Sequence, residues 1–438
     1  MSRWEGKYVI GLTGNIAVGK SVVRQMLQHL GAYTIDADGL THQAMSPGAP
    51  AYQPIVEMFG KWIVQDDGSI NRALLGSIVF SHPEGLAKLE AIVHPVVHQA
   101  IVTLVARAKQ PVIVIEAIKL LESNLNTMVD SIWVVDASPE AQLQRLMEKR
   151  KMSLEEARKR IVAQGSQADK LPRANVIIMN DGNVEDTWKQ VQASWNDVRR
   201  QLMGANLAAP ATPTVNANVS AMSGQRPASA PPAAPRTATG EAPAIRKLGT
   251  GQLTPLPTVQ PLRPQAQPQP APIDTHGIHV KRGMPGNAEA IAKFRTRVTG
   301  RPTDRMEVML AFGQKSFLLA VDQDDNLVGL SGWQVENLIT RVDEFYVDMS
   351  VPREAVIRVL VNAIEDASRE LQSEVSFIFL PATTPVEIVQ SFLANGYNFL
   401  KIEEVKFPAW REAAHEMLSG EGQALIKQLR TDRVLKPI

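Results

Sequence analysis

The first residues of this chain that could do chemistry are Gly14–Ser21, which match the pattern G-x-x-x-x-G-K-S. In such a loop, successive backbone N–H groups surround an anion, and the start of the next helix adds partial positive charge. Lys20 would reach the β- and γ-phosphates of a nucleoside triphosphate, and the Ser21 hydroxyl would bind Mg²⁺. The residues expected to bind this nucleotide are Gly14, Asn15, Ile16, Ala17, Val18, Gly19, Lys20 and Ser21.

The flanks of this loop match the structural context that a phosphate site requires. The apolar run Tyr8–Leu12 predicts a strand before it, and apolar residues at helical spacing over 22–30 predict a helix after it. A glycine-containing turn that matches the pattern by chance is the alternative, and the regular flanks favour the phosphate loop.

Two carboxylates, Asp36 and Asp38, follow the second predicted strand. Strand ends in a parallel sheet face the ligand crevice, where a carboxylate can accept a proton from an attacking hydroxyl or hold Mg²⁺. A solvated turn or a helix cap is the alternative interpretation, because Asp is favoured in both.

Two further groups could take part in phosphoryl transfer. Arg145 and Arg150 lie near the end of a predicted helix, and arginines on a mobile lid neutralise a transferring phosphate. An ordinary basic helix face is the alternative.

His94 precedes Pro95 inside a long predicted helix, which this proline must bend or restart. That histidine either points into an acceptor cleft or is a capped or core residue.

Composition limits the class of protein. The 438 residues suggest two or three domains, and 44% hydrophobic content permits substantial cores. A net charge of +1 argues against nucleic acid or an anionic membrane as partner, and the absence of cysteine excludes disulfides and thiolate zinc sites. With no signal peptide and no apolar run near eighteen residues, we expect a soluble cytoplasmic protein.

The chain divides by composition into residues 1–203, 204–274 and 275–438. The middle segment is rich in Pro, Ala, Thr, Gln and Ser and too poor in large apolar residues to offset chain entropy. It predicts a disordered tether, with a Pro-rich ligand for an adaptor domain as the alternative.

The first segment alternates apolar strands with helices, which predicts an α/β fold with a parallel sheet flanked by helices. The predicted strands are 8–12, 32–35, 112–115, 131–135 and 175–179, and the predicted helices are 22–30, 83–109, 139–149, 154–164 and 184–201.

Residues 7 to about 200 resemble the dephospho-coenzyme A kinase family. The matching elements, in the family's order, are Gly11–Gly14 with the phosphate loop, Gly31-Ala32 with Ile35–Asp38, Phe59-Gly60, Asp67-Gly68, Asn71-Arg72 with Leu75, Leu89-Glu90 with His94-Pro95, Leu120–Glu122, Gln142 with Arg145 and Arg150, Ile161 with Gln164, and Asn180–Gly182.

The resemblance implies MgATP-dependent phosphorylation of the ribose 3′-hydroxyl of dephospho-coenzyme A, the last step of coenzyme A synthesis. It implies that Asp38 acts as the base with Asp36 assisting, and that Lys20 and the lid arginines stabilise the phosphoryl group. The substrate would be held around Arg72, His94 and the acidic residue Glu116.

Two departures from the family pattern stand out. Asn15 and Ala17 replace two glycines of the loop, and alanine tolerates a positive φ poorly. The stretch 117–119 lacks the family's proline and places Lys119 beside the expected acceptor site. A changed acceptor preference or reduced activity is expected from the second departure.

Residues 275–438 predict a mixed α and β domain that resembles GNAT-type N-acetyltransferases, with Phe392–Tyr397 close to a familiar ending of that fold. The stretch 349–356 contains no glycine where that family's loop holds the pyrophosphate of acetyl-coenzyme A, so the cradle should not form. We expect a non-catalytic binding or scaffolding domain, with Glu344 and Tyr397 as ordinary strand and core residues. The predicted elements are helix 288–298, strands 316–321, 327–335 and 341–348, helix 353–371, strand 375–380, helix 384–395, strand 398–405 and helix 412–430.

Two rival functions stay open at this point. One is a small-molecule kinase with another nucleoside-like acceptor, and the other is a regulatory protein that binds ATP without turnover. A further hypothesis is that the second domain senses acetyl-coenzyme A or a similar thioester and adjusts the kinase.

Overall fold

The computed structural model describes residues 4–164, 167–208, 277–405, 407–417 and 422–435. The described residues up to 206 and from 277 onward belong to one compact unit. Nearly all of the predicted tether, 204–274, lies outside the described residues. Its disorder and the domain boundaries stay predictions.

The first part of the chain contains a parallel sheet whose three central strands are largely buried on both faces, as apolar strands covered by helices require. Its strands are β1 Tyr8–Thr13, β2 Tyr33–Asp36, β3 Val112–Glu116, β4 Ser131–Asp136 and β5 Val176–Met179. Their order across the sheet is β2-β3-β1-β4-β5. Each strand agrees with its prediction to within one residue at either end, and the predicted fold class is confirmed.

Eight helices cover this sheet or connect its strands in the described residues. They are α1 Lys20–His29, α2 Ala37–Ala44, α3 Tyr52–Phe59, α4 Arg72–Ser81, α5 Pro83–Arg107, α6 Pro139–Arg150, α7 Leu154–Val162 and α8 Val184–Ala208. The short helices α2, α3 and α4 were not predicted, although side-chain caps start two of them. The Asp36 carboxylate accepts a hydrogen bond from the backbone N–H of Gly39, and Asn71 caps α4 in the same way.

The helix α5 runs through Pro95 without ending, so of the two outcomes expected at this proline, a bend or a restart, the restart does not occur. By length and apolar composition it could cross a membrane, whereas the sequence analysis expected no such run. In the fold, one face of α5 packs into the core through Val93, Val97, Ile101 and Leu104. The sequence was expected to contain no run long enough to span a membrane, because His, Gln and Glu residues interrupt the apolar residues of α5.

The second part of the chain contains a mixed sheet in which only β9 and β10 pair in parallel among the described strands. Its strands are β6 His279–Arg282, β7 Ser316–Val321, β8 Leu327–Glu336, β9 Ile339–Val347, β10 Val375–Pro381, β11 Asn398–Phe399 and β12 Gly422–Gln428. Their order is β11-β12-β10-β9-β8-β7-β6. The helices are α9 Ala288–Thr299, α10 Arg305–Ala311, α11 Arg353–Glu370, α12 Val386–Ala394 and α13 Pro408–Met417.

Two predictions near the end of the chain are wrong. The helix predicted over 412–430 ends at Met417, and β12 follows as a strand antiparallel to β10. The strand predicted over 398–405 is reduced to β11. Residues 422–428 favour a helix by local preference, but β10 leaves a row of unpaired backbone groups that β12 satisfies, and Leu425 is buried there.

The two sheets belong to one folded unit and meet through buried polar contacts. Gln25 of α1 donates to the Ser316 hydroxyl at 3.0 Å, and His29 Nε2 donates to the carbonyl of Phe312 at 2.9 Å. Burial lowers the pKa of His29 to about 4, so this imidazole is neutral at physiological pH. On another side, Gln372 donates to the Leu104 carbonyl of α5 at 3.0 Å.

Candidate active site

The loop between β1 and α1 is shaped by two glycines at positive φ. Gly14 has φ 148° and Gly19 has φ 98°, and both positions are also sterically closed. A Cβ at position 14 would lie 2.4 Å from the Val135 carbonyl oxygen, and one at position 19 would lie 2.1 Å from Asn180 Nδ2. Only glycine fits either position, so the two ends of the motif are fixed by space as well as by conformation.

The departures within the loop differ in their cost. Ala17 has φ 61°, in the left-handed region, whereas Asn15 is not among the residues with positive φ. The loop therefore closes, as expected, with the strain located at the alanine. The left-handed conformation costs a non-glycine residue about 1–2 kcal/mol.

Lys20 begins α1 and is buried, with its ammonium group 3.1 Å from the carbonyl oxygen of Asn15. Burial lowers its pKa, while the carboxylates of Glu116 and Asp38 act in the opposite direction. The lysine thus lies over the loop, close to the carboxylate that ends β3 and to the one in the first turn of α2.

Ser21, Glu116 and Arg24 form a connected group beside the loop. Glu116 ends β3 and is opposite Leu12 of β1 and Asp36 of β2 in the strand registers. Its carboxylate accepts from the Ser21 hydroxyl at 3.3 Å and from Arg24 Nε at 2.6 Å. Glu116, predicted as a substrate contact, therefore lies against the phosphate loop.

Asp36 and Asp38 occupy different environments although they are two residues apart. Asp36 is the cap of α2, which was the alternative interpretation of this pair. Asp38 is in the first turn of α2, where its carboxylate accepts from the backbone N–H of Ile118 at 3.1 Å. Burial raises the pKa of Asp38 to about 6, against the opposing effect of that hydrogen bond.

The two predicted lid arginines lie on α6. Arg145 donates to the loop carbonyls of Ala17 at 3.1 Å and Val18 at 3.2 Å, and also to the carbonyl of Asn180. Burial lowers the pKa of Arg145. Arg150 is exposed at the end of α6 and close enough to Lys20 to lower its pKa. Both arginines therefore lie on the phosphate-loop side of the site.

Three residues after α7 contact the site, and sequence reasoning gave none of them a role there. The side-chain oxygens of Gln167 and Gln164 accept from the loop N–H groups of Asn15 at 3.0 Å and Ile16 at 2.6 Å. Lys170 is buried, donates to the carbonyl of Ile118 at 3.0 Å and interacts electrostatically with Asp38. Gln164 was noted only as a family motif residue. Lys170 is far from the loop in sequence and belongs to no motif, so no local pattern indicates that it lies at this site.

Beside Asp38 lies a cavity of about 470 Å³ that is mainly apolar. His94 is exposed and lines it, which excludes the core interpretation of this residue. Lys119 also lines the cavity and is 3.3 Å from Glu90 Oε1. Asp38 is the one predicted catalytic residue that lines this cavity. The cavity has the size of a small-molecule site.

Arg72, the remaining predicted substrate residue, is not among the residues that line this cavity. It begins α4 and pairs with Glu412 of α13 at 2.8 Å, with both side chains exposed. Its role in substrate binding stays a prediction. Within the described residues, no group of three or more His, Asp or Glu side chains is placed to hold a metal ion.

A parallel sheet whose first strand enters a glycine-bounded loop with lysine and serine defines a P-loop nucleotide-binding protein. The family model described as dephospho-CoA kinase matches residues 8–186. The dephospho-CoA kinase of Symbiobacterium thermophilum is 44% identical over 190 residues, which are 43% of this chain and 80% of that protein. That of Moorella thermoacetica is 39% identical over 199 residues, 44% of this chain and 94% of that protein.

This chain belongs to the dephospho-CoA kinase family, as the sequence resemblance implied. Among solved structures, the dephospho-CoA kinase from Campylobacter jejuni is 26% identical and covers 44% of this chain and 98% of that chain, with a TM-score of 0.35. The ribosomal-protein-S18-alanine N-acetyltransferase from Escherichia coli is 14% identical and covers 34% of this chain and 90% of that chain, with a TM-score of 0.27.

Proposed function

We propose that this protein transfers the γ-phosphoryl group of ATP to the ribose 3′-hydroxyl of dephospho-coenzyme A. The single observation that carries the proposal is the position of Asp38. This carboxylate lines the acceptor cavity and interacts electrostatically with Lys20 of the phosphate loop. A hydroxyl bound in the cavity would thus meet a base and a bound triphosphate at the same edge of the sheet.

On the donor side, the loop amides and Lys20 would hold the phosphates of ATP. The Ser21 hydroxyl, 3.3 Å from Glu116 Oε1, offers with that carboxylate the oxygen ligands that Mg²⁺ prefers. When bound, the ion would neutralise negative charge on the triphosphate. In this proposal Glu116 serves the metal side of the site, rather than the substrate contact predicted from sequence.

On the acceptor side, Asp38 would accept the proton of the attacking hydroxyl. Its raised pKa of about 6 suits this task, because the group is ionised at neutral pH and yet more basic than an ordinary aspartate. Asp36 would assist by capping α2 and so fixing the turn that carries Asp38. Lys170, Arg145 and Arg150 would stabilise the phosphoryl group during transfer.

The cavity also bears on the choice of acceptor. Its apolar walls suit a nucleoside, and Lys119 supplies a cation at its edge. The Lys119–Glu90 pair is largely exposed, so this contact is weak and leaves the ammonium group available to a ligand. Dephospho-coenzyme A carries a diphosphate that such a cation can bind, whereas an uncharged nucleoside does not.

The test is the formation of coenzyme A from ATP and dephospho-coenzyme A, followed by mass spectrometry with the full chain. Product that forms with dephospho-coenzyme A as acceptor, and not with other nucleosides, supports the proposal. Product from other nucleosides but not from dephospho-coenzyme A would favour the rival small-molecule kinase. ATP binding without any product would favour the non-catalytic regulator. The Lys20→Met variant is the control for contaminating kinase activity.

For the second part of the chain, we propose a non-catalytic role. The turn before α11 is closed by Asp348, whose carboxylate accepts from the N–H and the hydroxyl of Ser350 at 3.0 and 2.7 Å. Glu344 pairs with Arg295 and Lys315, and the buried Tyr397 hydroxyl donates to Ser376. These contacts support structural roles for both residues. Calorimetry with acetyl-coenzyme A and the full chain tests thioester sensing, and absence of heat would remove that hypothesis.

We also propose a cytoplasmic location, which fractionation of the producing cells would test.

A further inference from the structure

The hairpin between β8 and β9 turns through only two residues, Asn337 and Leu338. Both have positive φ, at 51° and 63°, and the strands pair up to Glu336 and Ile339 on either side. Leucine is uncommon in this conformation, whereas asparagine accepts it more readily. Leu338 is nevertheless buried in the core, so its packing holds the turn in this tight form.

The tip of this hairpin reaches the helix that carries Asp38. Gln43 of α2 donates to the carbonyl of Asn337, and the guanidinium of Arg24 is 3.8 Å from Glu336 Oε1. The side-chain amide of Asn337 lies directly over Gly39 of α2. The second sheet of the protein thus contacts both helices that border the active site.

Gly39 leaves no room for a Cβ unless the Asn337 side chain moves. A Cβ there would lie 1.9 Å from Asn337 Oδ1, and the other two amide atoms of that side chain are within 2.7 Å. Asn337 Oδ1 is buried and has no hydrogen-bond partner among the described residues. The amide therefore fills space against the helix at this point, and its oxygen is not used as an acceptor.

Gly39 also takes part in the N-terminal cap of α2. The N–H of Gly39 donates to Asp36 Oδ1 at 2.9 Å, and Asp38 is the residue immediately before it. The first turn of α2 is thus fixed by Asp36 within its own domain and by Asn337 from the second sheet. Movement of this turn would move the Asp38 carboxylate relative to the cavity.

We propose that Asn337 is a positioning residue for the kinase reaction, because it presses on Gly39 and thereby fixes the direction of Asp38. The inference rests on the proposed role of Asp38 as the base. It assigns the acetyltransferase-like part of the chain a direct task in phosphoryl transfer, independent of any ligand of its own. Catalysis is sensitive to displacements of about 1 Å in a reacting group, so loss of this contact should affect turnover.

The first test is Asn337→Gly, which keeps a residue that accepts positive φ and removes the amide. We expect kcat to fall about tenfold, while the Kd for ATP measured by calorimetry without acceptor stays within about twofold. Ser316→Ala is the matched control, because it removes another contact between the two sheets, the one with Gln25. It should leave kcat unchanged. A wild-type kcat for Asn337→Gly, or an equal loss in Ser316→Ala, would overturn the proposal.

The second test is a rescue. Gly39→Ala should lower kcat by more than tenfold, because the new methyl group meets the Asn337 amide. Adding Asn337→Gly should then restore kcat to the level of Asn337→Gly alone. Gly76→Ala in α4 is the control for a helical glycine, since its Cβ would meet Phe80 at an ordinary 3.5 Å. If the double variant melts at the same temperature as the wild type but its kcat is not restored, the direct contact is refuted.

The single Asn337→Gly variant decides the matter if Gly39→Ala does not fold. Asp38→Asn separates this proposal from the proposed function. Full activity of Asp38→Asn would remove Asp38 as the base, while the rescue between positions 39 and 337 would still report whether the contact sets turnover.

Discussion

Asp38 should make the protein less stable while it makes the reaction possible. Burial raises its pKa from 3.8 to about 6, which means that the folded state disfavours the ionised carboxylate. A difference of about two pKa units corresponds to about 3 kcal/mol. Below pH 4 the carboxyl is protonated in both states and costs nothing. As the pH rises through 6, the folded state loses this amount relative to a neutral side chain.

The Asp38→Asn variant tests both halves of this argument. Its amide oxygen can still accept from the N–H of Ile118, but it carries no charge. We expect the free energy of unfolding in urea to rise by up to about 3 kcal/mol at pH 7.5, with the gain vanishing near pH 4. Activity in a coupled ADP-release assay should fall by about 10²- to 10⁴-fold. For the wild type, kcat/KM should fall about tenfold per unit below pH 6.

Asp67→Asn is the matched control with the opposite sign. Hydrogen bonds from Ser69 lower the pKa of the Asp67 carboxyl. Its ionised form therefore adds stability that is present above its ordinary pKa and is lost as the pH falls through its lowered pKa. The variant should be slightly less stable at pH 7.5. If Asp38→Asn were no more stable than the wild type between pH 6 and 8, the assignment of a buried, costly carboxylate would be wrong.

Three further substitutions test other parts of the site. Ala17→Gly should raise stability by about 1 kcal/mol in urea unfolding, because glycine adopts φ 61° without strain. Lys20→Met should lower kcat by about 10²- to 10³-fold and weaken ATP binding in calorimetry, because the buried ammonium group is lost. Glu116→Gln should cost about 3 kcal/mol of stability, because it removes the charge of the carboxylate closest to the buried guanidinium of Arg24. Unchanged unfolding curves for the first and third variants, or normal turnover for the second, would contradict these expectations.

The donor half of the site could be predicted from sequence because it is contiguous. Residues 8–29 form the strand, the loop and the helix in one run, so local pattern and function coincide. The five strands were likewise predicted because each is a short apolar run. Even the strained position followed from the type of residue, since alanine stands where a glycine is expected.

The acceptor half depends on contacts that sequence pattern does not encode. The short helices α2 and α4 carry weak periodicity, and their caps at Asp36 and Asn71 were the only local signals. Lys170 lies on a connecting segment and reaches the site through the tertiary fold. The position of Glu116 beside Ser21 required the register of β3 against β1. These features are set by strand order, which a single sequence does not reveal.

Gly39 shows why the role of the second sheet was also invisible from sequence. A glycine inside a helix normally costs about 0.5–1 kcal/mol relative to alanine, so in sequence it appears only as a weak point. In the structure its missing side chain admits Asn337 from a hairpin almost 300 residues away. The glycine and the strained turn at Leu338 are each unfavourable alone, and together they produce one close contact. Unfavourable local conformations at both ends of a contact, far apart in sequence, are what a tertiary interaction between the two sheets should leave behind.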